Sequence, residues 1–329
     1  MAGPASATPE MPPPTGDEQP SVPSSPELFA PVSTGIQLCY RTYGDPADEP
    51  MLLVMGLASP LTWWDPELCS MLARRGYFVI TFDNRDVGRS TKVAGRVTRA
   101  TLVRGFASAR TRAPYSMTDF ARDAFGLLDH LGIESAHVVG VSMGGMIAQT
   151  MAVDDPARVR SLTSIMSTTG RRTVGWQHPR LYPVLLRPVR PGRQAYADNS
   201  VAIDRLIGSP GYPRPEERTR QIAEETFDRG VSGHGTLRQM MAVLTQPDRS
   251  RRLHAVRVPT LVIHGMADQM VHVSGGRATA AAVPGAELLL VDGMGHDLPP
   301  ELFATFVEAI DRTAARARAS RPRDSRSSG

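Results

Sequence analysis

The pentapeptide Gly140-Val141-Ser142-Met143-Gly144 constrains the fold of this chain more than any other feature. It closes a short apolar run, Ala136 to Val141, and leads through Gly145 into Met146 to Val153, a helix-compatible stretch. A serine held between two glycines at a strand-to-helix corner is what a nucleophile elbow requires. The glycines permit a turn too tight for side chains, so Ser142 takes a strained backbone conformation and lifts its hydroxyl above the sheet edge. The helix that follows turns its N-terminus toward the same point, where its dipole favours developing negative charge.

The rest of the chain supplies the sheet such a corner needs. Apolar β-type runs at Ile36 to Tyr43, Met51 to Met55, Tyr77 to Phe82, Leu162 to Met166, Pro259 to His264 and Glu287 to Val291 alternate with helical patterns. This alternation predicts an α/β fold with a mostly parallel central sheet flanked by helices. The clearest helix spans Thr118 to Leu131, with Phe120, Ala124, Leu127 and Leu128 on one face, Ser116 and Asp119 as its cap and Gly132 as its stop. From 167 to 247 the alternation breaks into a segment rich in Arg, Pro and Gly, with helical stretches at Ala202 to Ile207 and Thr236 to Leu244. About eighty residues without structure are uncommon inside a compact domain, so this segment is expected to be an inserted helical cap. The core then comprises 31–166 and 248–312.

The ends read differently. Residues 1–30 are crowded with Pro, Ser, Ala and acids and are expected to be a disordered tail, as is the Arg-rich stretch 313–329. Neither a basic start with an apolar core of about 7 to 15 residues nor a run of about 18 apolar residues is evident, so a cytoplasmic location without a transmembrane segment is the expectation. Six Arg against one acid from Arg312 to Gly329 account for more than the whole net charge of +4. The body therefore carries no basic stripe, which argues against nucleic acid as a partner. The Arg-rich end leaves room for peripheral contact with an anionic membrane surface. Two cysteines, Cys39 and Cys69, are too few for a disulfide framework or a four-thiolate zinc site and read as buried thiols. Nothing in the sequence sets an oligomeric state.

A serine hydroxyl is a weak nucleophile near neutral pH and needs a base within hydrogen-bond reach, oriented by a carboxylate. Of the eight histidines, His296 stands in Gly293-Met294-Gly295-His296, a loop directly after the last apolar strand. Loops at the C-terminal ends of parallel strands gather on the edge that holds the elbow. On the same edge, the strand Pro259 to His264 ends in Gly265-Met266-Ala267-Asp268, which offers Asp268 as the acid in preference to Asp292 or Asp297. For the oxyanion, the natural backbone donors are Met143 N–H, after the nucleophile, and Leu57 N–H, in Gly56-Leu57-Ala58 after the strand Met51 to Met55. The run Asp83-Asn84-Arg85-Asp86-Val87-Gly88-Arg89-Ser90 reads as a self-neutralising turn, its two arginines set beside its two acids.

The order Ser142, Asp268, His296, together with Met55-Gly56-Leu57, Asp83 to Ser90, the elbow, Gly265 to Asp268 and Gly295-His296, resembles the α/β-hydrolase superfamily of serine esterases and lipases from about Thr34 to Arg312. With Gly208-Ser209-Pro210 and Gly293 to Pro299, the chain is most similar to actinobacterial LipG-like esterases, and it is also similar to aclacinomycin methylesterase. Two positions depart from the pattern. Met55 replaces a histidine common before the oxyanion-loop glycine, and Asp86 replaces a more usual glycine.

The resemblance implies a carboxylic-ester hydrolase, esterase- or lipase-like, extending to thioesters or phospholipids, with an acyl-enzyme and no metal or organic cofactor. Trp63, Met146 and Met270 are candidate contacts for a lipophilic small-molecule ester or thioester. The triad of Ser142, Asp268 and His296 also serves C–C bond hydrolysis, acyl transfer and perhydrolysis, and the fold serves slow ligand-binding proteins.

Overall fold

The computed structural model describes residues 22–107, 111–185 and 190–320. An eight-stranded sheet forms its centre: β1 (Leu28–Pro31), β2 (Gln37–Tyr43), β3 (Glu49–Val54), β4 (Tyr77–Phe82), β5 (Ala136–Val141), β6 (Val159–Ile165), β7 (Thr260–Gly265) and β8 (Glu287–Val291). The order is β1-β2-β4-β3-β5-β6-β7-β8, with antiparallel pairing from β1 through β2 to β4 and parallel pairing among the rest. Each apolar run expected to be a strand is one.

The sheet's two-residue period divides the core into two layers. Leu52, Val54, Ile80 and Val138 face α3 (Met117–His130) and α4 (Met143–Asp154), while Met51, Leu53, Val79 and Val139 face α1 (Pro66–Ala73) and α11 (Phe303–Ser320). The capping box predicted at Ser116 and Asp119 forms, and Gly132 leaves α3 at φ 69°. After β4 the chain makes α2 (Arg99–Ala107), which the sequence reading lacked. Between β6 and β7 come α5 (Tyr182–Leu185), α6 (Arg193–Ile207), α7 (Glu216–Asp228), α8 (Gly233–Thr245) and α9 (Ser250–Leu253), and α10 (Ser274–Ala282) joins β7 to β8.

Both ends correct the sequence reading. Residues 1–21 lie outside the described residues, but the expected tail's last part is strand β1, paired to β2 from Leu28↔Tyr40 to Pro31↔Gln37. Four residues carry too little local pattern to announce a strand. The open edge of β2 supplies the hydrogen bonds, and an edge tolerates Pro31. At the other end, α11 runs on to Ser320, past the boundary expected at 312, and residues 321–329 lie outside the described residues. Thr313, Ala314 and Ala317 continue the buried stripe of Phe306 and Ile310, so small residues hold the helix where arginines dominate the composition. Arg318 pairs with Glu49 and Asp311, and Arg316 with Glu287.

The turn 83–90 is not self-neutralising. Asp83 pairs with Arg229 at the end of α7 at 2.6 Å, and Asp86 takes a two-pronged contact from Arg238 of α8 at 2.7 and 2.8 Å. Arg85 pairs with Asp123 of α3, and Arg89 with Glu27. Asp86 stands at φ 72°, a left-handed conformation that glycine adopts without steric cost. Here its carboxylate ties α8 to the core.

Within β5, between β3 and β6, lies His137, buried, its Nδ1 2.8 Å from Ser161 Oγ and its Nε2 3.5 Å from Glu49. Burial lowers its pKa from 6.5 to about 4, against the opposing pull of the Glu49 carboxylate. Because the folded value lies below the unfolded one, the unfolded chain binds the extra proton between these values. Stability therefore falls as pH drops from about 6.5 to about 4 and, for this group, levels off below that. Urea midpoints measured at pH 7.5, 6 and 5 check this. A His137→Gln variant with the same pH slope as wild type would remove His137 as the cause.

Candidate active site

Ser142 stands at φ 56°, ψ −118°, between the end of β5 and the first residue of α4. The strain is held from several sides. Its N–H donates to Ile165 O at 2.9 Å, and its carbonyl accepts from Ser167 Oγ at 2.8 Å. A Cβ at Gly140 would run into the Gly144 carbonyl, and one at Gly144 into the Val54 carbonyl, so only glycine fits either place.

The structure brings the three residues of the sequence reading together. His296 Nε2 lies 2.9 Å from Ser142 Oγ, and His296 Nδ1 lies 2.7 Å from Asp268 Oδ2. An ionised carboxylate only accepts, so Nδ1 carries the proton and Nε2 is free to accept from the serine hydroxyl. Asp268 Oδ1 accepts from Met270 N–H and Val271 N–H, both at 2.9 Å. Burial alone would raise the Asp268 carboxyl. The His296 charge and hydrogen bonds from His264 and His296 outweigh it and hold the pKa down at about 2.

His264 was not singled out from the sequence. It is fully buried near the end of β7, with Nε2 2.8 Å from Val271 O and 3.4 Å from Asp268 Oδ2. Its signal was a histidine in an otherwise apolar buried strand, four residues before an acid. The rival acids go elsewhere: Asp292 is exposed, and Asp297 binds Ser209 Oγ and faces Arg214 at 3.6 Å.

Met143 begins α4, where helix geometry leaves its N–H without an intrahelical acceptor. The Gly56-Leu57 loop lies against the serine, since a Cβ at Gly56 would sit 3.8 Å from Ser142 Oγ. Asn84 Nδ2 donates to Met55 O at 3.0 Å, and Asp83 Oδ1 accepts from Leu61 N–H at 2.7 Å. Between these pins Ala58 is left-handed at φ 58°, a conformation that costs an alanine about 1 kcal/mol.

The loop carrying His296 is clamped by the last residue of α6 and the chain that follows it. His296 N–H donates to Ile207 O at 2.6 Å, Gly295 N–H to Ser209 Oγ at 2.8 Å, and Gly211 N–H to Gly293 O at 2.9 Å. Ser209→Ala would strand the buried Gly295 N–H and one Asp297 oxygen, for an expected loss of about 1–3 kcal/mol in denaturant stability. A variant as stable as wild type would show that the serine hydroxyl does not hold this loop.

The expected substrate contacts each bond a residue of the segment 167–247. Trp63 Nε1 donates to Thr226 Oγ1 of α7 at 2.9 Å, Met146 Sδ accepts from Gln246 at 3.1 Å, and Met270 Sδ from Gln177 at 3.4 Å.

Comparison with known proteins agrees with this architecture. The profile of the alpha/beta hydrolase fold family matches residues 49–301. Rhodomycin D methylesterase of Streptomyces peucetius is 29% identical over 293 residues, covering 81% of this chain and 91% of its own. The 3-oxoadipate enol-lactonase 2 of Acinetobacter baylyi is 25% identical over 281 residues, covering 84% and 93%. In structure, the enol-lactonase of Burkholderia xenovorans superposes with a TM-score of 0.69 at 22% identity, over 88% of this chain and 100% of that one. With the strand order, the elbow and a profile match spanning most of its length, the chain belongs to the alpha/beta hydrolase fold family.

Proposed function

We propose that this protein is a serine carboxylic-ester hydrolase acting on a small-molecule ester through Ser142, His296 and Asp268. The observation that carries the reading is the continuous hydrogen-bond chain from Ser142 Oγ through His296 to Asp268, at 2.9 and 2.7 Å. Relatives named methylesterase and enol-lactonase support ester cleavage as the reaction.

His296 Nε2 takes the Ser142 proton as Oγ attacks the carbonyl carbon, and the N–H groups of Leu57 and Met143 receive the oxyanion. Collapse of the tetrahedral intermediate breaks the ester bond, with His296 protonating the leaving alcohol. Water, deprotonated by His296, then releases the acid from the acyl-enzyme. Asp268 stabilises the imidazolium throughout without accepting its proton. The helices of 167–247 act as a cap, with Trp63, Met146 and Met270 beneath it shaping the acyl site.

Fluorophosphonate labelling followed by peptide mapping tests the nucleophile. A p-nitrophenyl ester series from about two to sixteen carbons tests the reaction and sizes the acyl site. The expected result is a label on Ser142 and hydrolysis with a chain-length optimum. Folded protein that takes no label and leaves every ester at the buffer rate would overturn the reading.

A further inference from the structure

We infer that Gln239, on α8 of the helical insertion, is the positioning residue of the oxyanion loop, so that the insertion is part of the catalytic apparatus as well as a cover. The inference rests on the reading of Ser142 as nucleophile and Leu57 N–H as oxyanion donor.

Gln239 is fully buried, yet its amide is satisfied at both ends. Oε1 accepts from Ala58 N–H at 2.8 Å, and Nε2 donates to Arg85 O at 2.8 Å. One neighbour is a donor and the other an acceptor, which fixes the amide's orientation. Ala58 is the residue directly after Leu57 and is the left-handed one at φ 58°. A strained residue keeps its conformation only where its surroundings over-determine it. The core's own side chains hold the loop at Met55 O and Leu61 N–H, one on each side of this point. Gln239 holds the stretch between them, and Arg238, beside it in sequence, fastens α8 to Asp86.

With methionine at position 55, no polar side chain precedes Gly56 to steady the loop, and an amide reaching in from α8 supplies that contact. Loss of the contact lets the Ala58 peptide relax, which re-aims the Leu57 N–H. Misplacement of a catalytic donor by about 1 Å costs on the order of 100-fold in rate.

Two variants test this. Gln239→Met keeps length and volume but bonds neither partner, and Gln239→Glu keeps an acceptor toward Ala58 N–H. Each is compared with wild type below its melting temperature by hydrogen exchange at the Ala58 amide and by kcat and KM on p-nitrophenyl acetate. The expected results for Gln239→Met are exchange at Ala58 accelerated about tenfold or more, kcat lowered about 100-fold and KM nearly unchanged, with substantial recovery of kcat in Gln239→Glu. Wild-type exchange at Ala58 in Gln239→Met overturns the inference, as does wild-type kcat despite faster exchange. A merely structural role lowers the melting temperature in both variants without moving kcat of the folded protein, and that result also overturns it. If wild-type protein neither hydrolyses the ester nor takes a fluorophosphonate label, the nucleophile reading fails, and Gln239 as a catalytic positioning residue fails with it. The exchange data still report whether the amide holds the loop.

Discussion

Replacement of Ser142 by alanine is expected to lower kcat for p-nitrophenyl ester hydrolysis by about 10⁵-fold or more, while leaving the fold intact. The oxygen is the only atom lost, so no nucleophile remains within reach of His296 Nε2, which lies 2.9 Å from Ser142 Oγ in wild type. Alanine takes the same strained corner at φ 56° with the same steric cost, and the Ser142 backbone bonds to Ile165 O and Ser167 Oγ do not involve the deleted atom. Thermal midpoints of the two proteins therefore stay within a few degrees. A folded alanine variant that keeps more than about a hundredth of the wild-type rate would move the nucleophile elsewhere.

Asp268→Asn is expected to cost about 10⁴-fold in kcat, because an amide cannot satisfy both sides of this site. Asp268 Oδ1 accepts two backbone N–H groups, from Met270 and Val271, while Oδ2 faces His296 Nδ1 and His264 Nε2. Asparagine must keep its oxygen toward the two N–H donors, which turns its NH₂ toward His296. That donor makes Nδ1 the acceptor and moves the imidazole proton to Nε2, where it can no longer accept from Ser142. The opposite orientation would set the NH₂ against two backbone donors. The same carboxylate also shapes acid stability. Its folded pKa of about 2 lies below the unfolded 3.8, so its contribution is present above about 3.8 and is lost as pH falls through about 2. Rates and acid unfolding of the variant are read side by side. Wild-type kcat, or an unchanged acid limb between these values, would sink the argument.

Much of this molecule was legible in one dimension. The elbow needed only a strand, two glycines at fixed offsets and a helix, all within Ala136 to Asp154. His296 and Asp268 were legible because parallel topology sends the C-terminal ends of β5, β7 and β8 to one edge, so position after a strand already implied proximity. The helix Met117–His130 announced itself by its own cap and apolar stripe.

Contacts made by single side chains across long sequence separations were not legible. The charges of Asp83 to Arg89 suggested pairing among themselves, yet each acid bonds an arginine of α7 or α8, well over a hundred residues away in sequence. His264 acquires meaning only beside Asp268, Gln239 only beside Ala58, and Ser209 only beside Gly295. The termini misled for a related reason: β1 exists because β2 has an open edge, and the last turns of α11 because their small residues are buried against the core.

The sequence by itself determined the layers, the sheet and the chain order of Ser142, Asp268 and His296 on one sheet edge, since these follow from hydrophobic period, turn chemistry and chain direction. Tertiary structure alone decided what holds those residues at bonding distance. A buried hydrogen bond or ion pair depends on which surfaces meet, and no local pattern records that.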